Sequence, residues 1–193
     1  MSTVAVVPVK SLAEAKRRLS QQLTSHERRL LVLAMLEDVL SAVQASNVFK
    51  ETTVISPDRI VTTTAEKHGA RSLLQSGPGL NHAVQQATTQ AVKEGATATV
   101  NILADTPLVQ AIDFEEIVQM GEGTTRVVLS PSLDGGTNIM LRSPATVIDN
   151  SYGRWSFSHH LRSAQKMQIR VYAVSNARTS FDIDTIDDLR TIV

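Results

Sequence analysis

The sequence predicts an α/β protein whose strands form an open, parallel sheet. Three observations carry that prediction. Thr3-Val-Ala-Val-Val-Pro8-Val9 is β-branched and apolar with no polar alternation, as a strand covered on both faces requires. Further strand-like runs alternate along the chain with segments of helical periodicity. One of these runs, Thr99-Val-Asn-Ile-Leu-Ala, ends on Asp105 and is stopped by Pro107. Ligands of open α/β sheets bind outside the carboxyl ends of the strands. Asp105 there can either hold a divalent cation or start a turn before Pro, and this stretch alone leaves both open.

The 193 residues suit one domain, 1–193, with a full hydrophobic core. Lys plus Arg (19) balances Asp plus Glu (19), which argues against a nucleic-acid binder working by bulk charge. Cys is absent, so there is no disulfide framework, thiolate zinc site or thiol nucleophile. Without a signal peptide or an apolar run of membrane-spanning length, the expected location is cytoplasmic, with no membrane partner.

Pro8 closes the first strand because it cannot donate to a sheet ladder. Behind it come Lys10 and the cluster Lys16, Arg17 and Arg18, either a polyphosphate-binding loop or a solvated turn. Thr24 or Ser25 caps a long helix whose apolar face is expected to comprise Leu30, Leu33, Ala34, Leu36, Val39, Leu40 and Val43. Thr52–Ser56 is the second strand; the helix after Pro57-Asp58 ends at Gly69; Ala70–Gln75 is the third strand. The loop Ser76-Gly-Pro-Gly79-Leu80 allows close backbone approach and feeds a helix over 81–93. Asn81 at its start is either the N-cap or a base-reading amide.

Thr97–Leu103 is the fourth strand, followed by a short helix over Asp113–Met120. Thr125–Ser130 and Asn138–Arg142 flank Pro131-Ser-Leu-Asp134-Gly-Gly136, a hairpin signal. Thr137 and Asn138 are small donors expected at a mouth. Gly153 and Ser156 precede and open the next helix, where backbone N–H groups can meet an anion. His159 and His160 point to different faces and cannot chelate one ion together. Gln168–Val174 is the last clear strand. Asp182 and Asp184 share a side if their segment is extended; Asp184-Thr185 also caps the last helix, 186–192.

Taken in order, Pro8-Val-Lys10 with Ala15-Lys16-Arg-Arg18-Leu-Ser20, Gly79-Leu-Asn81, Asp105-Thr-Pro107, Asp134-Gly-Gly-Thr137-Asn138, Gly153-Arg-Trp-Ser156-Phe157 with His159 or His160, and Asp182-Ile-Asp184-Thr185 resemble the 2-phospho-L-lactate guanylyltransferase family. That family sits among nucleotidyltransferases that include the molybdenum-cofactor guanylyltransferases. The family's usual Gly-Asp-Leu-Pro is Ala104-Asp105-Thr106-Pro107 here. The resemblance implies a three-layer α/β/α sandwich around a Rossmann-like, mostly parallel sheet with one antiparallel strand, of the nucleotide-diphospho-sugar transferase type. It implies transfer of GMP from GTP to a small phosphorylated acid. The acceptor is 2-phospho-L-lactate in coenzyme F-420 synthesis, where the next transferase takes the product; relatives use phosphoenolpyruvate or 3-phosphoglycerate. It implies that Lys10, Lys16 and Arg18 hold the triphosphate, and that Asp105, Asp182 and Asp184 hold Mg2+. Gly79 and Asn81 would meet the nucleoside, and Thr137, Asn138, Gly153 and Ser156 the acceptor. A homodimer is the family's expectation. The competing readings are another acceptor on the same fold, such as a sugar phosphate or a pterin, and a non-catalytic nucleotide-binding subunit.

Overall fold

The structure, a computed structural model, describes residues 2–192. Strands β1 (Thr3–Pro8), β2 (Glu51–Ser56), β3 (Arg71–Leu74), β4 (Ala98–Ile102), β5 (Arg126–Pro131), β6 (Thr137–Ser143) and β7 (Arg170–Ala173) form one sheet in the order β3-β2-β1-β4-β6-β5-β7. All pairs are parallel except those of β6, which runs antiparallel to both β4 and β5. The lone antiparallel strand is the return arm of the Asp134-Gly-Gly hairpin. Asp134 Oδ1 accepts from Gly136 N at 3.1 Å, and Gly135 takes φ 86°, so the turn closes on its own carboxylate.

Side-chain alternation along each strand divides the core in two. Ala5, Val7, Val100, Ile102, Ile139 and Leu141 face a layer made by α1 (Ser25–Ser46), α2 (Arg59–Lys67) and α4 (Ala111–Gln119). Val4, Val6, Val127, Leu129 and Met140 face α3 (Leu80–Lys93) and α5 (Ser156–Lys166) on the other side. The result is the three-layer sandwich. A short α6 (Ile186–Thr191) follows.

Helix α1 begins as expected, with Thr24 and Glu27 in a reciprocal capping box. Its buried face is Val32, Met35, Leu36, Val39, Leu40 and Val43, while Leu30 and Ala34 are exposed. The run Leu30–Leu36 is apolar almost throughout, so periodicity there supports more than one face and only packing selects between them. Helix α4 starts two residues before Asp113, which is its third residue and accepts from Gln110 N at 2.8 Å.

Candidate active site

From β1 the chain moves outward to β2 and β3, then returns to β4 on the other side of β1. The carboxyl ends of β1 and β4 therefore flank the switch point of the sheet, where open α/β folds carry their ligands. A cleft of about 330 Å³ opens there, lined among others by Lys10, Lys16, Arg18, Leu80, Asp105 and Asp184. A second cavity of about 620 Å³ shares Pro8, Val9, Lys10 and Leu80 with it and runs along Gln75–Gly79.

The loop after β1 is built to turn Lys16 inward. Leu12, Ala15 and Leu19 are buried. The Asp58 carboxylate accepts from Leu12 N, and Arg28 of α1 donates to Ala15 O (3.2 Å) and Leu23 O (2.8 Å). Lys16 adopts φ 47°, a region uncommon for a residue with a Cβ. Its ammonium donates to Asp105 Oδ2 at 2.7 Å and to Asp184 Oδ1 at 2.8 Å. Burial works against the charged Lys16, but Coulomb attraction and hydrogen bonds from both carboxylates prevail, and its pKa is raised. Arg18, itself exposed, reaches Asp184 Oδ2 at 3.3 Å.

Three segments bring the carboxylates together. Asp105 follows β4, and its carbonyl accepts from Ile183 N at 3.1 Å, which draws residues 182–184 against the strand end. Asp105, Asp182 and Asp184 each present an oxygen within 4.8 Å of the others. Asp105 Oδ1 is buried with no hydrogen-bond partner among the described residues, so an all-oxygen set with one orphaned lone pair fits a hard cation. Burial, then the charges of Asp105 and Asp184, push the Asp182 carboxyl up to about 7, against a hydrogen bond from Asn138. Asp184 does not cap α6 with its side chain. Thr185 does so in a capping box with Asp188, which also accepts from Asp184 N, and the Asp184 carboxylate is left for the cleft.

The residues expected on the acceptor side behave differently. Thr137, Asn138 and Ser156 are buried rather than set at a mouth. Thr137 Oγ1 meets His160 Nδ1 at 3.1 Å and accepts from Ser156 Oγ at 3.2 Å. His160 Nε2 accepts from Ser151 N at 2.9 Å. Burial first, then Arg142 and His159, lower the His160 pKa to about 4, so the ring is neutral and structural. Asn138 Nδ2 donates to Thr179 O at 3.1 Å and lies 3.4 Å from Asp182 Oδ1, which places it beside the acid triad. Gly153 is exposed at φ 138°. Asn81 neither caps α3, whose N-cap is Gly79, nor offers a free amide. Its Oδ1 accepts from Tyr152 N at 2.7 Å and its Nδ2 donates to Tyr152 O at 2.9 Å. The amide thus pins the 149–152 segment to α3, and a base-reading role would need both bonds broken.

Residues 3–193 match the family described as "Guanylyl transferase CofC like". The chain belongs to this CofC-like guanylyltransferase family. It is 36% identical over 190 residues to a phosphoenolpyruvate guanylyltransferase of Rubrobacter xylanophilus, covering 98% of this chain and 92% of that one. It is 31% identical over 190 residues to a 2-phospho-L-lactate guanylyltransferase of Methanocaldococcus vulcanius, covering 98% and 83%. A putative nucleotide-diphospho-sugar transferase of Desulfovibrio desulfuricans G20 shares the fold, with a TM-score of 0.81 at 16% identity over 100% of this chain and 87% of that one. As a CofC-like guanylyltransferase the protein is a nucleotidyltransferase, a reaction class that needs cations for phosphates rather than a Ser–His or Cys–His pair.

Two supports of this CofC-like site escape a reading of the sequence. Asp58, after Pro57, looks like a helix cap, yet its carboxylate goes to Leu12 N and not to α2. The Gln75 amide donates to Gly79 O at 3.1 Å and also to Gly77 O, curling the glycine loop along the second cavity. Neither residue type carries a local signal for such a partner. No helix of the described residues is long and apolar enough to cross a membrane.

Proposed function

We propose that this CofC-like protein joins GMP from GTP to 2-phospho-L-lactate, giving lactyl-2-diphospho-5'-guanosine and pyrophosphate. A phosphate oxygen of the acceptor attacks the α-phosphorus of GTP. The new P–O bond forms as the bond to the β-phosphate oxygen breaks, and pyrophosphate leaves. The nucleophile is already an anion, so positioning and charge neutralisation do the work. Lys10, Lys16 and Arg18 bind the triphosphate and receive the charge that develops on pyrophosphate. Asp105, Asp182 and Asp184 would hold Mg2+, which when bound lowers the repulsion between the two phosphate groups. The nucleoside lies along Gly79 in the second cavity, while Asn81 acts by fixing the 149–152 segment. The acceptor lies between the triad and the turns at Gly136 and Gly153. Thr137 and Ser156 shape that wall from behind, and Asn138 links it to Asp182.

The single observation that supports this reading most is the joining of the basic loop after β1 to a three-carboxylate cluster at one switch-point cleft. The same reading carries a homodimer, and a product passed to the next transferase of coenzyme F-420 synthesis. A second reading, phosphoenolpyruvate as acceptor, is favoured by the higher identity to a relative of that name, 36% against 31%. The two acids differ by two hydrogens, a methyl on a tetrahedral carbon against a methylene on a planar one, and a small apolar difference is worth only about 1–3 kcal/mol in a pocket. The test is phosphorus NMR of protein, GTP and Mg2+ with each acid in turn. A pair of coupled diphosphate-diester signals with one acid names the acceptor. Absence of the diester with every acid refutes the reading, and equal rates with ATP refute the preference for guanine.

A further inference from the structure

The acid cluster already holds a cation of the protein's own. The Lys16 ammonium sits 2.7 Å from an oxygen of Asp105 and 2.8 Å from an oxygen of Asp184. These are two of the three residues whose oxygens converge within 4.8 Å. A magnesium ion held by the same carboxylates would bind at about 2.0–2.1 Å and demand near-octahedral space. An ammonium within hydrogen-bond reach of both carboxylates competes for their lone pairs and repels a second positive charge. The Lys16 side chain is 8% exposed, so solvent does little to screen that repulsion. Arg18 touches the same Asp184 but is 70% exposed, and it contributes far less to the competition.

The backbone around Lys16 is held in place, and its side chain is tied down only through the two carboxylates at its tip. Ala15 and Leu19 are buried on either side, and Leu19 N donates to Lys16 O at 2.9 Å. The lysine stem is a flexible four-carbon chain carrying a compact charge. Lys10 and Arg18 line the same cleft, so phosphates bound there lie within a side-chain rotation of the Lys16 ammonium. We infer that Lys16 is a displaceable counter-ion. It holds Asp105 and Asp184 against a bare divalent cation and yields them when a nucleoside triphosphate offers phosphate oxygens instead. The cation therefore enters with the triphosphate and not ahead of it. This rests on the metal reading given above. By linkage, whatever factor the nucleotide adds to cation affinity the cation adds to nucleotide affinity.

The test is a titration of the full chain with Mn2+ alone, followed by electron paramagnetic resonance of the free ion, and its repetition with the α,β-methylene analogue of GTP present. Without nucleotide, Lys16→Met should bind Mn2+ at least about fivefold more tightly than wild type, the low end of ordinary coupling between sites. Lys16→Arg, which keeps the charge, should resemble wild type. The analogue should strengthen Mn2+ binding in the wild type and do so much less in Lys16→Met. Equal Mn2+ affinity of Lys16→Met and wild type without nucleotide, with both binding the ion when the analogue is present, overturns the Lys16 inference and leaves the metal reading standing. No Mn2+ binding by any variant under either condition overturns both. Should Lys16→Met fail to fold, the wild type alone decides. Mn2+ by itself should leave its thermal midpoint unchanged, and Mn2+ added to the analogue should raise it above the analogue alone. A full rise with Mn2+ by itself overturns the inference.

Discussion

Lys16 and Asp105, 89 positions apart in the chain, are joined by a 2.7 Å ion pair at the carboxyl ends of two neighbouring parallel strands. The pair exists because β4 returns beside β1 after the chain has visited β2 and β3. The same contact gathers Asp184, so three distant segments share one charge cluster. Asp105→Asn keeps the shape of the side chain and removes its charge. Turnover should drop by roughly 100-fold or more while the fold is retained, since several kcal/mol of charge stabilisation are lost. Steady-state rates with a circular-dichroism control check this. Near-normal turnover at ordinary Mg2+ would remove Asp105 from the site.

Lys10 lines both cavities and is exposed. An exposed lysine adds little to folding. Lys10→Ala should therefore lower kcat/KM for GTP by about tenfold or more while shifting stability by no more than about 0.5 kcal/mol. An unchanged rate would return Lys10 to a solvated surface role.

The Asp182 carboxyl, held at about 7 against an ordinary 3.8, gives a pH signature. Its folded pKa lies above the unfolded one. The stabilisation it provides is complete below about 3.8 and is lost as pH rises through about 7. Asp182→Asn, melted in chelator, should match wild type near the acid end of that window. Above it the variant should be more stable by about 1–3 kcal/mol. A gap that does not change with pH contradicts this.

His160 works in the opposite direction. Its folded pKa of about 4 lies below the ordinary 6.5, so the unfolded chain takes up the proton first as pH falls. Stability should be full above about 6.5 and decline toward pH 4, by up to about 3 kcal/mol. In His160→Gln that part of the decline should vanish. Urea midpoints across the range measure it, and an identical slope in the variant would count against the buried neutral ring.

Much of this architecture is legible in the sequence because its signals are local. β-branched runs mark the strands, Asp134-Gly-Gly marks the hairpin, and Thr24 with Glu27 marks the start of α1. Asp105, Asp182 and Asp184 are readable as a set only through the family resemblance, since each Asp taken alone also suits a turn or a helix cap. Asn81, Thr137 and Ser156 are less readable, since short polar side chains serve caps, networks and ligands alike. Asn81 is tied to Tyr152 of a distant loop, and Thr137 to Ser156 and His160 of α5. Lys16 belongs between these cases. Its basic surroundings suggest phosphates, yet only the folded chain reveals that its nearest neighbours are acids.

In the function proposed here, the cleft between β1 and β4 transfers a guanylyl group to a small phospho-acid. Pyrophosphate release from GTP, measured with 2-phospho-L-lactate and with phosphoenolpyruvate in the presence of Mg2+, tests it most directly. Release should require GTP, one of these acids and Mg2+ together, and be nearly abolished in Asp105→Asn. Pyrophosphate released at the same rate without any acid, or none released with either acid, would contradict it.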